Sequence, residues 1–299
     1  MHALKRFWQL LTAMGRQIGE INMGLIAAGV AFYGMLAFFP GIAAMISLWG
    51  LVSDPSVVVD ELSVLREIIP DQIFDLVENQ VLKISSGSGS TLGWAGVLSL
   101  GVAIWSARSG VASLILGLNM IHGDPNRGNL RHYLTALTLT VALLGVGIVT
   151  LGSVVILPVV LSFVPLGFVT SILIEIVRWL AAILALLIGL SLIYRYGPNN
   201  RGQRLKWATP GAGLAVSGWG IASVAFSLYL TNFANYNEVY GSLGAAVAML
   251  FWLYITAFLI LLGASLNIQL DKRRAMDRTL QAMEDGTAEP TRDGSDNAP

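Results

Sequence analysis

The chain has 299 residues, of which 55% are hydrophobic and only 12% are charged, and its mean hydropathy is +0.69. Soluble domains usually carry about 25% charged residues, so this composition excludes a soluble globular protein and indicates an integral membrane protein. The 18 basic and 18 acidic residues cancel, which removes the bulk electrostatic argument for nucleic-acid binding. The chain has no cysteine, which excludes disulfides, thiolate metal ligands and cysteine nucleophiles.

Six apolar segments are long enough to cross a membrane, which takes about 20 mostly apolar residues. Each is a continuous apolar run and lacks the alternation typical of barrel strands. Pro210 follows Thr209 and is predicted to start the fifth span, because proline suits the first position of a helix. The sequence therefore predicts an all-α, polytopic membrane protein with one transmembrane domain over 23–270. The predicted spans are 24–51, 92–119, 133–160, 166–194, 210–233 and 242–270.

Basic residues are concentrated on one side of the predicted bundle, whereas the opposite side has only Arg66 and Lys83 amid acidic residues. Short cytoplasmic loops retain lysine and arginine, so both termini are predicted to lie in the cytoplasm. The residues on the basic side are Lys5, Arg6, Arg16, Arg127, Arg131, Arg195, Arg201, Arg204, Lys206, Lys272, Arg273 and Arg274.

Three segments lie outside the predicted spans. Residues 1–22 have apolar positions at helical spacing among basic ones, which indicates either an interfacial helix on the inner leaflet or a plain basic anchor. Residues 54–84 predict two amphipathic helices on the periplasmic side, acting as packing or as a lid. Residues 271–299 are predicted to be a disordered cytoplasmic tail, because the segment beyond Asp277 is polar and nearly free of large apolar residues.

Three ionisable residues fall within the spans: Arg108 in the second, and Glu175 and Arg178 in the fourth. Charges in hydrocarbon are costly, so each is a candidate functional residue. In one interpretation Glu175 and Arg178 neutralise each other and Arg108 extends towards the inner interface. In the other, the two arginines line a polar path that attracts an anionic head group or solute.

Other polar and aromatic residues extend this predicted path. Pro40 interrupts the hydrogen bonding of the first span, close to Tyr33, and the turn between spans five and six is rich in asparagine. A second cluster, near the end of span four, is predicted to contact anionic lipid on the inner side. The remaining path candidates are Asn119, Asn232, Asn235, Tyr236, Asn237, Glu238 and Tyr240, and the lipid-contact candidates are Arg195, Arg201, Arg204 and Lys206.

Catalysis has little support in the sequence. Glu175 is the one carboxylate placed in hydrocarbon, whereas acid–base chemistry usually needs two titratable groups with separated pKa values. His122, His132 and Asp124 share one loop on the basic side, but their spacing matches no metalloprotease motif. We therefore expect no cofactor and no metal site. A membrane-embedded enzyme with these three residues beneath Arg108 remains the less favoured alternative.

Several motifs resemble the YihY/BrkB family of membrane proteins and together extend over nearly the whole chain up to about residue 270. The resemblance implies a six-helix bacterial inner-membrane protein without a firmly assigned activity. The family has also carried a ribonuclease label, which this sequence does not favour because it lacks paired metal-binding acids and a basic groove. The motif residues are 27–33, 38–40, 105–107, Gly110, 118–119, 196–199, 236–237, 240–245, 252–254, 262–264 and 266–267.

The chain departs from the family pattern at Ser265, where an acidic residue commonly follows Gly-Ala in the sixth span. Proton coupling through such an acid is therefore in doubt here. From the charges and the path we predict a transporter or flippase for an anionic or amphipathic, lipid-like molecule, with membrane lipids as partners and no nucleic acid. The alternative is a non-transporting scaffold in envelope assembly, and a homo-oligomer or an envelope protein partner is left open.

Overall fold

The computed structural model describes residues 2–52, 89–124, 128–151, 168–199, 209–232 and 242–284. Within these ranges all regular secondary structure is helical, which confirms the predicted all-α class. The helices are α1 (His2–Glu20), α2 (Met23–Val52), α3 (Gly89–His122), α4 (Asn129–Leu151), α5 (Phe168–Tyr196), α6 (Pro210–Asn232) and α7 (Ser242–Glu284).

Each helix from α2 to α7 contains a stretch of 20 to 36 residues that is long and apolar enough to cross a membrane. The six predicted spans are thus confirmed by length and composition. Helix α6 begins at Pro210, as expected, and Thr209 caps it by accepting hydrogen bonds from the backbone N–H of Ala212 through its carbonyl (3.0 Å) and its hydroxyl (3.3 Å). The predicted amphipathic insert at 54–84 lies outside the described residues.

Helix α7 is longer than the sequence predicted, because it continues to Glu284 through residues 271–284, which were expected to be disordered. Local and tertiary contacts stabilise this extension. Arg274 pairs with Asp271 at 3.3 Å, three residues away, and Arg273 Nη1 donates to the carbonyl of Arg6 in α1 at 2.7 Å. Residues 285–299 of the predicted tail lie outside the described ranges.

The buried residues lie mainly in the half of the bundle next to the two termini, here called the terminal half; the other half is the distal half. Apart from Ala44 in α2 and Gly96 in α3, the described residues of the distal half are half-buried or exposed. Among the described residues, close packing is therefore confined to the terminal half. The terminal half comprises α1, α2 to Ala31, α3 from Ser106, α4 to Thr140, α5 from Ala182, α6 to Ala215 and α7 from Ala257.

Glycines let the helices of the terminal half approach closely. A Cβ atom on Gly211 of α6 would collide with the carbonyl of Gly263 in α7, and one on Gly263 would collide with Gly211 and with the Tyr194 hydroxyl. A Cβ on Gly117 of α3 would lie 2.9 Å from the side chains of Ile26 and Leu261. These contacts place backbone against backbone, the geometry that small residues permit in membrane bundles.

Candidate functional site

One face of α3 runs from the closed end of the bundle to the open end, and Arg108 lies in its middle. Its residues recur at intervals of three, four or seven, which places them on one side of the helix. Ile115 on this face is 0% exposed and Val97 is 63% exposed, with Arg108 half-buried between them. We call this surface the Arg108 face; it consists of Val97, Gly101, Arg108, Ala112, Ile115 and Asn119.

The adjacent face of α3 behaves differently. Leu98, Trp105 and Leu116 are exposed in both halves of the bundle, as expected for a surface that contacts lipid throughout. The Arg108 face, in contrast, changes from buried to exposed along the helix. Among the described residues, neighbouring helices cover this face in the terminal half and leave it uncovered in the distal half, beyond Arg108.

Among the described residues, no hydrogen-bond acceptor contacts the guanidinium of Arg108. Its Cζ lies 4.4 Å from the ring centroid of Tyr133 in α4, a cation–π contact, and its Nε is buried without a hydrogen-bond partner. The ion pairs found in the described part of the chain do not include Arg108. A cation within a membrane span is costly unless it is compensated, so this arrangement suits an anion that is supplied from outside the protein.

At the terminal end of the Arg108 face, buried polar side chains join distant helices and close the bundle. We call this set the floor; it consists of Gln17, Asn119, Tyr194, Ser265 and Asn267. Gln17 of α1 is the most connected of them: its Nε2 donates to the Ile121 carbonyl at 2.9 Å, and its Oε1 accepts from Ser265 Oγ at 2.7 Å and Gln269 Nε2 at 3.1 Å. Gln17 is buried, and Ser265 is fully buried. Helix α1 is thereby fixed to α3 and α7.

Asn267 and Tyr194 close the other side of the floor. The Asn267 Oδ1 accepts from the backbone N–H of Gly211 at 2.7 Å, and its Nδ2 donates to Thr209 Oγ1 at 3.1 Å, so α7 is tied to the start of α6. The Tyr194 hydroxyl donates to the Ile260 carbonyl at 2.8 Å and ties α5 to α7.

Asn119, a predicted path residue, belongs to this floor. It is fully buried, and its Oδ1 accepts from the backbone N–H of Asn199 at 2.9 Å, which joins α3 to the turn after α5. Gly197 in that turn packs against Leu118, whose Cδ1 would lie 2.7 Å from an added Cβ. A molecule in the distal half cannot reach Asn119 in this conformation.

Glu175 and Arg178 form a closed group on α5. Glu175 Oε1 accepts from Arg178 Nη2 and, at 2.8 Å, from Trp179 Nε1. The Glu175 side chain is 52% exposed and that of Arg178 is 17% exposed. Twenty residues separate Glu175 from Arg195, a helical rise of about 30 Å, which is the thickness of the hydrocarbon core. If Arg195 lies at one membrane boundary, the Glu175–Arg178 group therefore lies near the opposite boundary, on the distal side.

Three further candidates lie in the described residues: Pro40, Tyr33 and Arg195. Helix α2 passes through Pro40 without ending, and Pro40 is half-buried. Tyr33 is half-buried next to Gly110 of α3, about two turns before Pro40 on the same side of α2, and its ring meets Phe32 edge-on at 5.5 Å. Arg195 lies near Tyr196, with 5.9 Å from Cζ to the ring centroid.

Several predicted site residues cannot be placed. Asn232 ends α6, but its side chain is outside the described set. The path prediction for the turn between spans five and six and the lipid-contact prediction therefore stay predictions for these positions. The candidates that lie outside the described residues are Asn235, Tyr236, Asn237, Glu238, Tyr240, Arg201, Arg204 and Lys206.

The histidine loop shows no assembled metal centre in the part of the chain that the structure describes: no group of three or more potential ligands is present there. His122 directs its Nδ1 to the Leu118 carbonyl at 2.8 Å, and its Nε2 and the Asp124 Oδ2 are buried without partners.

Sequence reasoning missed Gln17, Asn267 and Tyr194 as residues that close the bundle. Gln17 did carry a signal, because it is a polar residue among the apolar positions of α1, next to Met14 and Ile18. Its partners are 104 to 252 residues away, so the signal could not say what it binds.

The chain resembles known proteins over most of its length. The family model described as virulence factor BrkB matches residues 14–287. YfkH of Bacillus subtilis (strain 168), whose name describes it as ribonuclease-like, is 31% identical over 260 residues, which is 84% of this chain and 90% of YfkH.

Shorter matches connect the chain to UPF0761 membrane proteins. The one from Chromohalobacter salexigens is 40% identical over 82 residues, and that from Xanthomonas campestris pv. campestris (strain B100) is 45% identical over 75 residues. These matches cover 27% and 25% of this chain and only 20% and 17% of those relatives. No solved structure matches the chain. The family match and the relative aligned along most of both chains show that this protein belongs to the BrkB family of integral membrane proteins.

Proposed function

We propose that the protein is a transporter or flippase of the bacterial inner membrane, with both termini in the cytoplasm, and that it carries an anionic or amphipathic, lipid-like molecule. The observation that carries the proposal is the Arg108 Nε, which is buried without a hydrogen-bond partner at the level where the Arg108 face becomes exposed. A negatively charged head group would supply the missing acceptors.

The packing gives the proposed path a direction. Burial on the Arg108 face begins at Ile115, about 10 Å along the helix from Arg108, and the floor of Gln17, Asn119 and Asn267 lies beyond it. A molecule would therefore reach Arg108 from the distal side, and passage to the terminal side would require the floor to open. Proteins that alternate between two access states need such a closed end opposite an open one.

The exposed end of the Arg108 face favours an amphipathic molecule over a small inorganic anion, because Val97 there is an apolar side chain that is 63% exposed. An acyl chain would lie along this side chain while an acidic head group contacts Arg108. We propose no catalytic activity, and the ribonuclease-like name of YfkH is not carried over to this chain.

Reconstitution into vesicles with a fluorescent phosphatidylglycerol tests the proposal, with lipid movement followed by chemical quenching of the outer leaflet. We expect the wild type to move the probe and Arg108→Gln to move it about tenfold or more slowly, since a hydrogen bond to a charged group contributes about 1.5–3 kcal/mol. Arg108→Lys should keep part of the activity, and Arg131→Gln, an exposed arginine at the start of α4, should keep all of it.

Native mass spectrometry of protein released from its own membrane extends the test beyond one probe. The wild type should retain a specific anionic compound that Arg108→Gln loses. If Arg108→Gln keeps wild-type flux and the same bound compounds while folding normally, the transport mechanism through Arg108 is wrong.

A scaffold is the second candidate, and the closed Glu175, Arg178 and Trp179 group favours it. The two charges pair with each other on α5, although Arg178 Nε, like that of Arg108, is buried without a hydrogen-bond partner. A scaffold predicts that Arg108 variants leave lipid movement unchanged and that Glu175→Gln or Arg178→Gln weakens the recovery of a partner protein in crosslinking.

A further inference from the structure

One part of the apolar face of α1 packs against the bundle, and the other part is exposed. Met14, Gln17 and Ile21 are buried against the bundle. Trp8 and Leu11 are 60% and 42% exposed, although they belong to the same broad apolar face, about a sixth to a third of a turn from Met14. The described residues therefore leave one side of this apolar stripe uncovered.

The contacts of α1 with α7 indicate how deep Trp8 and Leu11 lie in the membrane. Gln17 lies beside Ser265, and the Arg6 carbonyl lies beside Arg273, so α1 runs antiparallel to the end of α7. The apolar run of α7 ends at Leu270, immediately before the charged residues. The segment of α1 between Gln17 and Arg6 therefore lies where hydrocarbon gives way to head groups, the depth at which tryptophan is enriched.

Cationic side chains surround the exposed stripe. The basic residues come from two helices, and Arg273 links the helices through the Arg6 carbonyl. Six cations face only two acidic residues in this region, which favours anionic over zwitterionic lipid. The cations are Lys5, Arg6, Arg16, Lys272, Arg273 and Arg274, and the acidic residues are Glu20 and Asp271.

We propose that α1 and the adjoining start of the α7 extension form a binding surface for anionic phospholipid head groups in the leaflet next to the termini. Trp8 and Leu11 enter the edge of the hydrocarbon, and the surrounding cations contact the lipid phosphates. An amphipathic helix with an aromatic anchor and a basic polar face binds anionic membranes in this way. This surface is separate from Arg108 and does not depend on transport.

The test uses the absence of native cysteine, which allows a single thiol probe in the full chain. Leu11→Cys carries an environment-sensitive fluorophore on the exposed apolar side, and Gln9→Cys carries the same fluorophore on the exposed polar side. The protein is reconstituted in vesicles of phosphatidylcholine, with or without about one third phosphatidylglycerol. We expect the Leu11 probe to be quenched by brominated lipid and the Gln9 probe by aqueous iodide.

Charge dependence tests the lipid class. A basic residue near an anionic surface changes association about fivefold, so Lys5→Gln together with Arg16→Gln should abolish most of the increase in lipid quenching that phosphatidylglycerol causes. The pair Gln9→Ala and Thr12→Ala, two exposed neutral positions of the same helix, should leave that increase unchanged.

Three results would overturn the proposal. Equal iodide quenching of both probes would place Leu11 in water. Protection of the Leu11 probe from both quenchers would show that protein covers it, either a second copy or a partner. Lipid quenching that does not change with phosphatidylglycerol would exclude an anionic head-group surface.

Discussion

The terminal and distal halves of the bundle differ in packing and in what their polar groups do. In the terminal half, side chains such as Gln17 and Asn267 are buried and hydrogen-bonded to partners on other helices. In the distal half, Gly101 and Val97 on the Arg108 face are exposed, and Arg108, at the distal edge of the terminal half, has a buried Nε without a hydrogen-bond partner. The first set of polar groups stabilises the closed end, whereas the Arg108 Nε has no such partner among the described residues.

The difference also explains where the family motifs lie. Gly197, Gly263 and Asn267, which carry part of the family resemblance, are contacts of the closed end. Their glycines allow close helix approach, and the asparagine caps a helix start. The resemblance motifs therefore describe, in part, how this end is closed.

The largest expected effect comes from filling the contact between α6 and α7. Gly263→Ala places a methyl group against the backbone of Gly211 and the Tyr194 hydroxyl, and the backbone cannot move aside as a flexible side chain could. We expect a loss of about 3 kcal/mol or more in the free energy of unfolding, measured as thermal unfolding in detergent.

Gly213→Ala in α6 is the matched control, because nothing lies within 4 Å of the added Cβ. It should leave the unfolding temperature unchanged or raise it slightly, since alanine favours helix over glycine. Equal behaviour of the two variants would show that α6 and α7 are not in backbone contact.

A smaller effect is expected from Gln17→Ala, which leaves the Ile121 carbonyl and the Ser265 hydroxyl without their partner. Leaving such buried groups unsatisfied costs about 1–3 kcal/mol. Hydrogen exchange should increase in α1 and at the end of α3. Gln9 is an exposed glutamine of α1, so Gln9→Ala should leave hydrogen exchange in α1 and at the end of α3 unchanged. Unchanged exchange in Gln17→Ala would mean that Gln17 does not hold α1 in place.

The smallest effect is expected at Glu175. Its side chain is 52% exposed, and ion pairs of this kind contribute about 1 kcal/mol or less. Glu175→Gln should therefore shift the unfolding temperature only slightly, and it retains an oxygen that can accept from Trp179. A loss comparable with that of Gly263→Ala would show that the group is buried in the membrane-embedded protein and holds α5 in place.

The sequence predicts the features of the fold that depend on local composition. Continuous apolar runs identify the six spans, and Thr209 with Pro210 identifies a helix start. The sequence could not show that residues 271–284 extend α7, because the contact between Arg273 and Arg6 joins residues that are 267 positions apart.

The candidate site is predicted only in part for the same reason. A charge within an apolar run identifies Arg108 as a candidate, but its lack of an acceptor depends on which helices surround it. Asn119 looks similar in sequence, yet its partner Asn199 lies 80 residues away and fixes it in the floor. The packing therefore determines whether a polar residue hydrogen-bonds to another part of the protein or to a ligand.

Thiol labelling along α3 tests the central claim, a bundle closed at the terminal half and open at the distal half. A membrane-impermeant maleimide is added to the protein in vesicles, with one cysteine at Val97, Gly101, Leu98 or Ile115. We predict reaction at Val97→Cys and Gly101→Cys from the side away from the termini, and none at Leu98→Cys, which faces lipid, or at Ile115→Cys, which is buried. Reaction at Ile115→Cys, or equal inertness of Val97→Cys and Leu98→Cys, would contradict the account.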